Sequence, residues 1–206
     1  MDIFWIVFAI PSIIIASTIH EFAHAWTAYK LGDSTAKSEG RLTLNPLVHI
    51  DPLGALMLVL VRVGWSKPVP ISEQNFENPI LGTALTAIAG PISNLLLAVI
   101  TGIIYRFIGN VTMGFDGNYI YVYYFLTVFF IVNISLMAFN LIPFPPLDGH
   151  KIVRALLPNR LRYSWEMLEK YSIFLILLLI IPFSPLGSII SIYINSVLTF
   201  FTNLLL

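Results

Sequence analysis

The chain has 206 residues, of which 57% are hydrophobic and 11% charged, and its mean hydropathy is +0.85. A soluble domain usually carries about a quarter charged residues, so this composition cannot cover a water-soluble fold and points to lipid as the solvent. Zero net charge gives no electrostatic case for nucleic acid, and the lack of cysteine excludes disulfides and thiolate metal ligands. Any metal must be held by carboxylates and the four histidines.

About 20 apolar residues cross a bilayer as a helix. Ile3 to Ile19 carries no charge, and the helical pattern continues to Tyr29. It has no basic leader and no small-residue cleavage site, so it reads as a retained span rather than a signal peptide. Gly40 to Asn45 alternates in strand fashion between Gly and Asn-Pro, which predicts a short β-hairpin or loop. Residues 53–63 are apolar but too short to cross, which suits a re-entrant or interfacial segment. Pro79–Tyr105 and Tyr119–Leu147 are the second and third long uncharged runs. The last run, Tyr171–Leu206, is broken by Pro182, Ser184 and Pro185. It reads as two accessory spans, about 164–181 and 186–205, or as one span with an interfacial helix. The expected fold is an all-α polytopic membrane protein with a three-helix core, accessory transmembrane helices and a β-hairpin or re-entrant segment around 40–63. No repeat or flexible linker divides the chain, so 1–206 reads as one integral-membrane domain, with the core over about 1–157 and the accessory helices over about 164–206.

Charge predicts the orientation. Lys30, Lys37, Arg41, Arg62 and Lys67 lie between the first two long spans, and Lys151, Arg154, Arg160, Arg162 and Lys170 follow the third. If 53–63 does not cross, both basic stretches share one side, which the positive-inside rule makes cytoplasmic. The expected location is a prokaryotic cell membrane, with the lipid bilayer as the surrounding partner.

The chemistry concentrates in His20-Glu21-Phe22-Ala23-His24. Residues four apart share a helix face, so both imidazoles can reach one ion while Glu21 takes a proton from a water on that ion. Shuffling this composition yields such a motif about once in several hundred sequences, and the membrane context adds weight because ionisable groups inside a span are costly and usually functional. The bland alternative is a polar helix end at the interface. A catalytic zinc site needs a third protein ligand and an open position. Asp148 follows the third long span, at the depth of His20 and His24 by span counting. It could equally cap the helix that follows. Glu39, Asp51, Glu73, Glu77, His49 and His150 compete with it.

Five segments in order resemble the site-2 protease family of intramembrane zinc metalloproteases, in its compact form without PDZ or CBS domains. They are His20–His24, Asn45–Gly54, Gly64–Pro70, Ala89–Asn94 and Phe139–Gly149. The resemblance implies Zn2+ held by His20, His24 and Asp148, with Glu21 catalytic. It further implies cleavage of a transmembrane protein substrate, as in regulated intramembrane proteolysis. Asn94 and Asn140 match positions that look substrate-binding or oxyanion-stabilising; otherwise they bridge helices. His49 supports its loop or lines the site behind the ligands. The alternating 40–46 segment could hold an unwound substrate as an added strand. Two rivals remain: a membrane zincin of another class acting on soluble or lipidated peptides, and an inactive homologue or metal-binding membrane protein. Substrate identity and oligomeric state are not encoded in any motif.

Overall fold

The structure is a computed structural model that describes residues 3–61, 64–111, 119–172, 174–175 and 185–206. Among the described residues four helices are long and apolar enough to cross a membrane: α1 (Ile3–Lys30), α5 (Pro79–Val111), α6 (Ile120–Asn140) and α9 (Pro185–Leu205). Between them lie the short helices α2 (Thr35–Ser38), α3 (Pro46–His49), α4 (Pro52–Val61), α7 (Asp148–Leu156) and α8 (Asn159–Glu166). No sheet occurs among the described residues, and the protein is an all-α polytopic membrane protein.

Helix direction follows from which residues meet. Phe8 packs on Tyr124, with ring centroids 5.5 Å apart, and Ala9 and Ala16 share a cluster with Val128 and Val132, so α1 and α6 run parallel. Asn94 bonds to Ala16 O while His24 bonds to Thr86 O, so α5 runs against both. Small residues make this approach possible. Ala9, Ser12, Ala16, Thr86, Ala87, Gly90 and Ala98 are all buried and lie at helical spacing. Lipid tails are as apolar as Leu, so close backbone approach and interhelical hydrogen bonds, each worth about 0.6 kcal/mol on average, replace the hydrophobic effect between spans. The outward residues, such as Val7, Ile100, Ile103 and Phe107, are apolar and exposed, as lipid requires.

Of the hairpin or loop expected over 40–46, the loop is what forms, and the described part of 53–63 suits the re-entrant or interfacial expectation. Gly40 to Asn45 runs as turns and bends, because Asn45 accepts from Leu47 N at 3.1 Å and starts α3 with Pro46 at its first position. Asp51 then caps α4 by accepting from Leu53 N and Gly54 N at 2.8 and 2.9 Å. The chain returns beside its point of departure: Ile50 pairs with Ser66 in an isolated antiparallel bridge, and Lys67 N donates to His49 O at 2.8 Å. The excursion over 50–66 therefore begins and ends at one level and does not cross, which leaves the ends of α1 and α6 and the start of α5 on one side.

The C-terminal expectation can be followed over α9. α9 lays Ile194, Val197, Leu198, Phe201 and Leu205 against Ala98, Phe130, Ile134, Met137 and Ala138. Its last turn meets Gly102 and accepts a hydrogen bond from Arg106 at Leu204 O. α9 thus runs parallel to α5 and starts on the side where α6 ends. The second accessory span over 186–205 stands. Most of the expected span over 164–181 lies outside the described residues; its described beginning is the end of α8 and a 3-10 turn, Met167–Tyr171.

Candidate metal centre

Three helices deliver the site. His20 and His24 occupy one face of α1, and their rings meet edge to face with centroids 4.5 Å apart. Asp148 is the first residue of α7. It arrives there because Pro143, Pro145 and Pro146 stop α6 from continuing, proline lacking the N–H that a helix needs. Gly149 follows, where any side chain would strike the carbonyls of Leu141 and Ile142. Arg154 holds α7 down, donating to Glu73 at 2.7 Å and to Glu166 at 2.6 Å.

The two imidazoles are oriented from behind. His20 Nδ1 lies 2.6 Å from Asn94 Oδ1, and His24 Nδ1 lies 2.7 Å from Thr86 O. Both partners are acceptors, so each Nδ1 carries the proton and each Nε2 presents a lone pair. Those Nε2 atoms lie 2.9 Å apart, and each is 3.2 Å from Asp148 Oδ2, a buried atom with no hydrogen-bond donor. Three acceptors facing one another are satisfied by a cation among them. With zinc bonds of about 2.0–2.2 Å, the edges of a tetrahedral site are about 3.3 Å, close to the separations seen. Gly90 supplies the opening. A methyl group built on it would sit 2.5 Å from His24 Nε2 and 2.6 Å from His20 Nε2. Among the described residues this is the one group of three ligating side chains that could hold a metal. Burial pushes the Asp148 carboxyl up, but positive charge in the gap, on a protonated imidazole or on a bound ion, more than offsets this and holds it below the usual carboxylate range. Asp148 therefore stays ionised.

Glu21 leaves α1 on a neighbouring face and meets the returning limb of the re-entrant segment. Ser66 Oγ donates to its Oε1 at 2.5 Å and Val69 N–H donates to its Oε2 at 3.1 Å. That limb is held in turn by Asp33, a buried carboxylate that accepts from Thr35 N, Thr35 Oγ1, Ser72 N and Asn75 Nδ2 at 2.5–3.0 Å.

The other expected residues lie as follows. Asn94 is fully buried against His20, Ala16 and Asn133. Asn140 ends α6, donating to Leu136 O at 3.0 Å. His49 is buried with Nε2 on Thr43 O at 2.8 Å, which ties it to its own loop. Of the competing ligands, Asp51 caps α4, Glu73 pairs with Arg154 and His150 stacks on Trp165. Gly90, Ser66, Asp33 and Asn133 were not singled out from the sequence. Only Ser66 and Gly90 lay in segments already marked by their motif.

Two histidines and an aspartate facing a gap between membrane-length helices, with a glutamate beside them, define a membrane metallopeptidase. Residues 8–183 match the profile of peptidase family M50. The chain belongs to this family, the site-2 proteases, and is a zinc metalloprotease. It is 37% identical over 189 residues to YwhC of Bacillus subtilis, a provisionally named zinc metalloprotease, covering 88% of this chain and 82% of that protein. Rip2 of Mycolicibacterium smegmatis, also provisionally named, is 29% identical over 136 residues, covering 64% of this chain and 50% of Rip2. The zinc metalloprotease MJ0392 of Methanocaldococcus jannaschii is 28% identical over 162 residues, covering 79% of this chain and 38% of that protein. No solved structure matches the chain.

Proposed function

We propose that the chain is an intramembrane endopeptidase that hydrolyses peptide bonds of transmembrane protein substrates, with His20, His24 and Asp148 as zinc ligands and Glu21 as general base. The observation that carries this reading is the convergence of three buried acceptor atoms on a gap kept open by Gly90, between helices of membrane length. Zinc held there supplies Lewis-acid polarisation and a water acidic enough to ionise near pH 7. Glu21 receives the proton of the attacking water and passes it to the departing amine. A carboxylate has about four acceptor positions, so Ser66 and Val69 orient Glu21 and still leave lone pairs for this exchange. Asn140 has a second amide N–H to offer a substrate carbonyl or the developing oxyanion. Asn94, engaged on every side, supports His20 rather than the substrate.

The whole chain acts as one peptidase domain, with the core over about 1–157 and accessory helices beyond it. The site end faces the cytoplasm of a prokaryotic cell membrane in this reading, which is supported by basic Lys30, Lys37, Lys67, Lys151 and Arg154 flanking that end of the bundle. The test is Glu21→Gln in the purified protein. Zinc content should stay at wild-type level while cleavage of a synthetic transmembrane peptide falls by about 10²–10⁴-fold. Undiminished cleavage would remove Glu21 from the mechanism. A wild-type protein that binds zinc but cuts only water-soluble peptides would refute the intramembrane substrate.

A further inference from the structure

Asn133 lies in the middle of α6, fully buried, and the proposed reaction makes no use of it. Its amide is nevertheless committed at both ends. Nδ2 donates to Phe129 O at 2.8 Å, one turn back along α6, and Oδ1 accepts from Asn94 Nδ2 at 3.0 Å. Asn94 Nδ2 also donates to Ala16 O at 3.2 Å, which leaves Asn94 Oδ1 facing His20 Nδ1 at 2.6 Å.

An asparagine amide fits its site either way round, and the two ways have opposite effects on a histidine. With oxygen toward Nδ1, the imidazole keeps its proton there and Nε2 is a lone pair. With nitrogen toward Nδ1, the proton moves to Nε2 and the ring cannot ligate through that atom. The first is favoured by Ala16 O at 3.2 Å and, more closely, by Asn133 at 3.0 Å. The nitrogen of Asn133 is taken by Phe129 O, so it shows oxygen to α5, and Asn94 must answer with nitrogen. His24 needs no such arrangement, because Thr86 O is a backbone carbonyl and cannot turn round.

We propose that Asn133 is a positioning residue for the metal centre: through Asn94, and alongside Ala16 O, it sets the tautomer of His20, so that Nε2 reaches the ion unprotonated. This rests on His20 being a zinc ligand.

The test uses the purified full-length chain. Zinc affinity is measured by competition with a chromophoric chelator, ligand geometry by the absorption spectrum of the cobalt-substituted protein, and folding by the melting temperature of the metal-free form. Replacing residues that orient a ligand typically costs 10–100-fold in metal affinity, so Asn133→Leu should weaken zinc binding about 10-fold and alter the cobalt spectrum. Asn133→Asp keeps an acceptor toward Asn94 and should retain both. In an Asn94→Asp background either carboxylate oxygen can face His20, so adding Asn133→Leu should cost nothing further. Wild-type affinity and spectrum in Asn133→Leu overturn the relay, as does equal loss in both backgrounds. If the leucine variant does not fold, Asn133→Ala takes its place with the same expected readings. His20→Ala separates the premise: retention of wild-type zinc affinity there refutes His20 as ligand, whatever Asn133 does.

Discussion

α5 serves two seams of opposite chemistry. Toward α1 and α6 it presents Thr86, Gly90 and Asn94, where four directed hydrogen bonds join buried groups between closely packed small residues. Toward α9 it presents Leu95, Ala98 and Gly102, and apart from the Arg106–Leu204 O bond at its far end the contacts are apolar packing. In lipid, apolar packing gains nothing from excluding water, so the second seam is held by dispersion and shape, which many side chains satisfy. The first is held by donor–acceptor geometry, where each atom has one acceptable partner. The ligand residues sit on the directional seam, because a metal site needs orientation rather than mere proximity.

One added methyl group on each seam tests the difference most sharply. Gly90→Ala places a carbon 2.5 Å from His20 Cε1 and from His24 Nε2. Neither ring can retreat without breaking its bond to Asn94 or Thr86, so the variant should lose most of its zinc by elemental analysis. A fully loaded Gly90→Ala protein would show that the seam is far more pliable than argued.

An intermediate effect is expected at the loop that carries the re-entrant limb. Burial pushes the Asp33 carboxyl up, but hydrogen bonds from Thr35, Asn75 and Ser72 outweigh this and hold it below the usual carboxylate range. A group with a depressed folded pKa stabilises fully above its unfolded value, about 3.9, and that stability is lost as pH falls through the lower folded value. Melting temperature should therefore drop below about pH 4 in the wild type. Asp33→Asn should begin less stable at pH 7, by about 1.5–3 kcal/mol for bonds to a charged group, and show a flatter acid limb. Parallel acid limbs in the two proteins would remove Asp33 from the account.

The smallest effect belongs to Gly102→Ala. Its methyl meets Leu205 Cβ and O at 3.0 Å, in the last turn of α9, which has only to shift by a few tenths of an ångström. Zinc content should not change, and the melting temperature should move by at most a few degrees. Loss of zinc here would erase the distinction between the seams.

The sequence showed the span pattern and the His20–His24 face because both depend on local periodicity. Asp148 came from span counting and family resemblance, and the structure brings its carboxylate to both imidazoles. Gly40–Asn45 left hairpin and loop open because alternation is a weak signal over six residues, and Asn45-Pro46, a helix start, settles it as a loop. Asp33 and Asn133 escaped notice for one reason: their partners come from 35–75 and 94, and one buried Asn in an apolar span looks like any other until its neighbour is known. The two-span reading of 164–205 relied on length and proline breaks, which say nothing of direction; the packing of Leu205 on Gly102 does.

Glu21 follows His20 by one residue, a turn of about 100° around the helix, and this small rotation assigns the two to different owners. The imidazoles answer to α5 and α6, whereas the glutamate answers to Ser66 and Val69 on a segment that merely dips in and returns. In the proposed mechanism, capture of the ion and handling of the proton are thus inherited separately. Changes in the bundle will sort as proteins that lose their metal, and changes around 66–72 as proteins that keep it and work slowly, so the family can retune its rate through a loop without rebuilding the bundle.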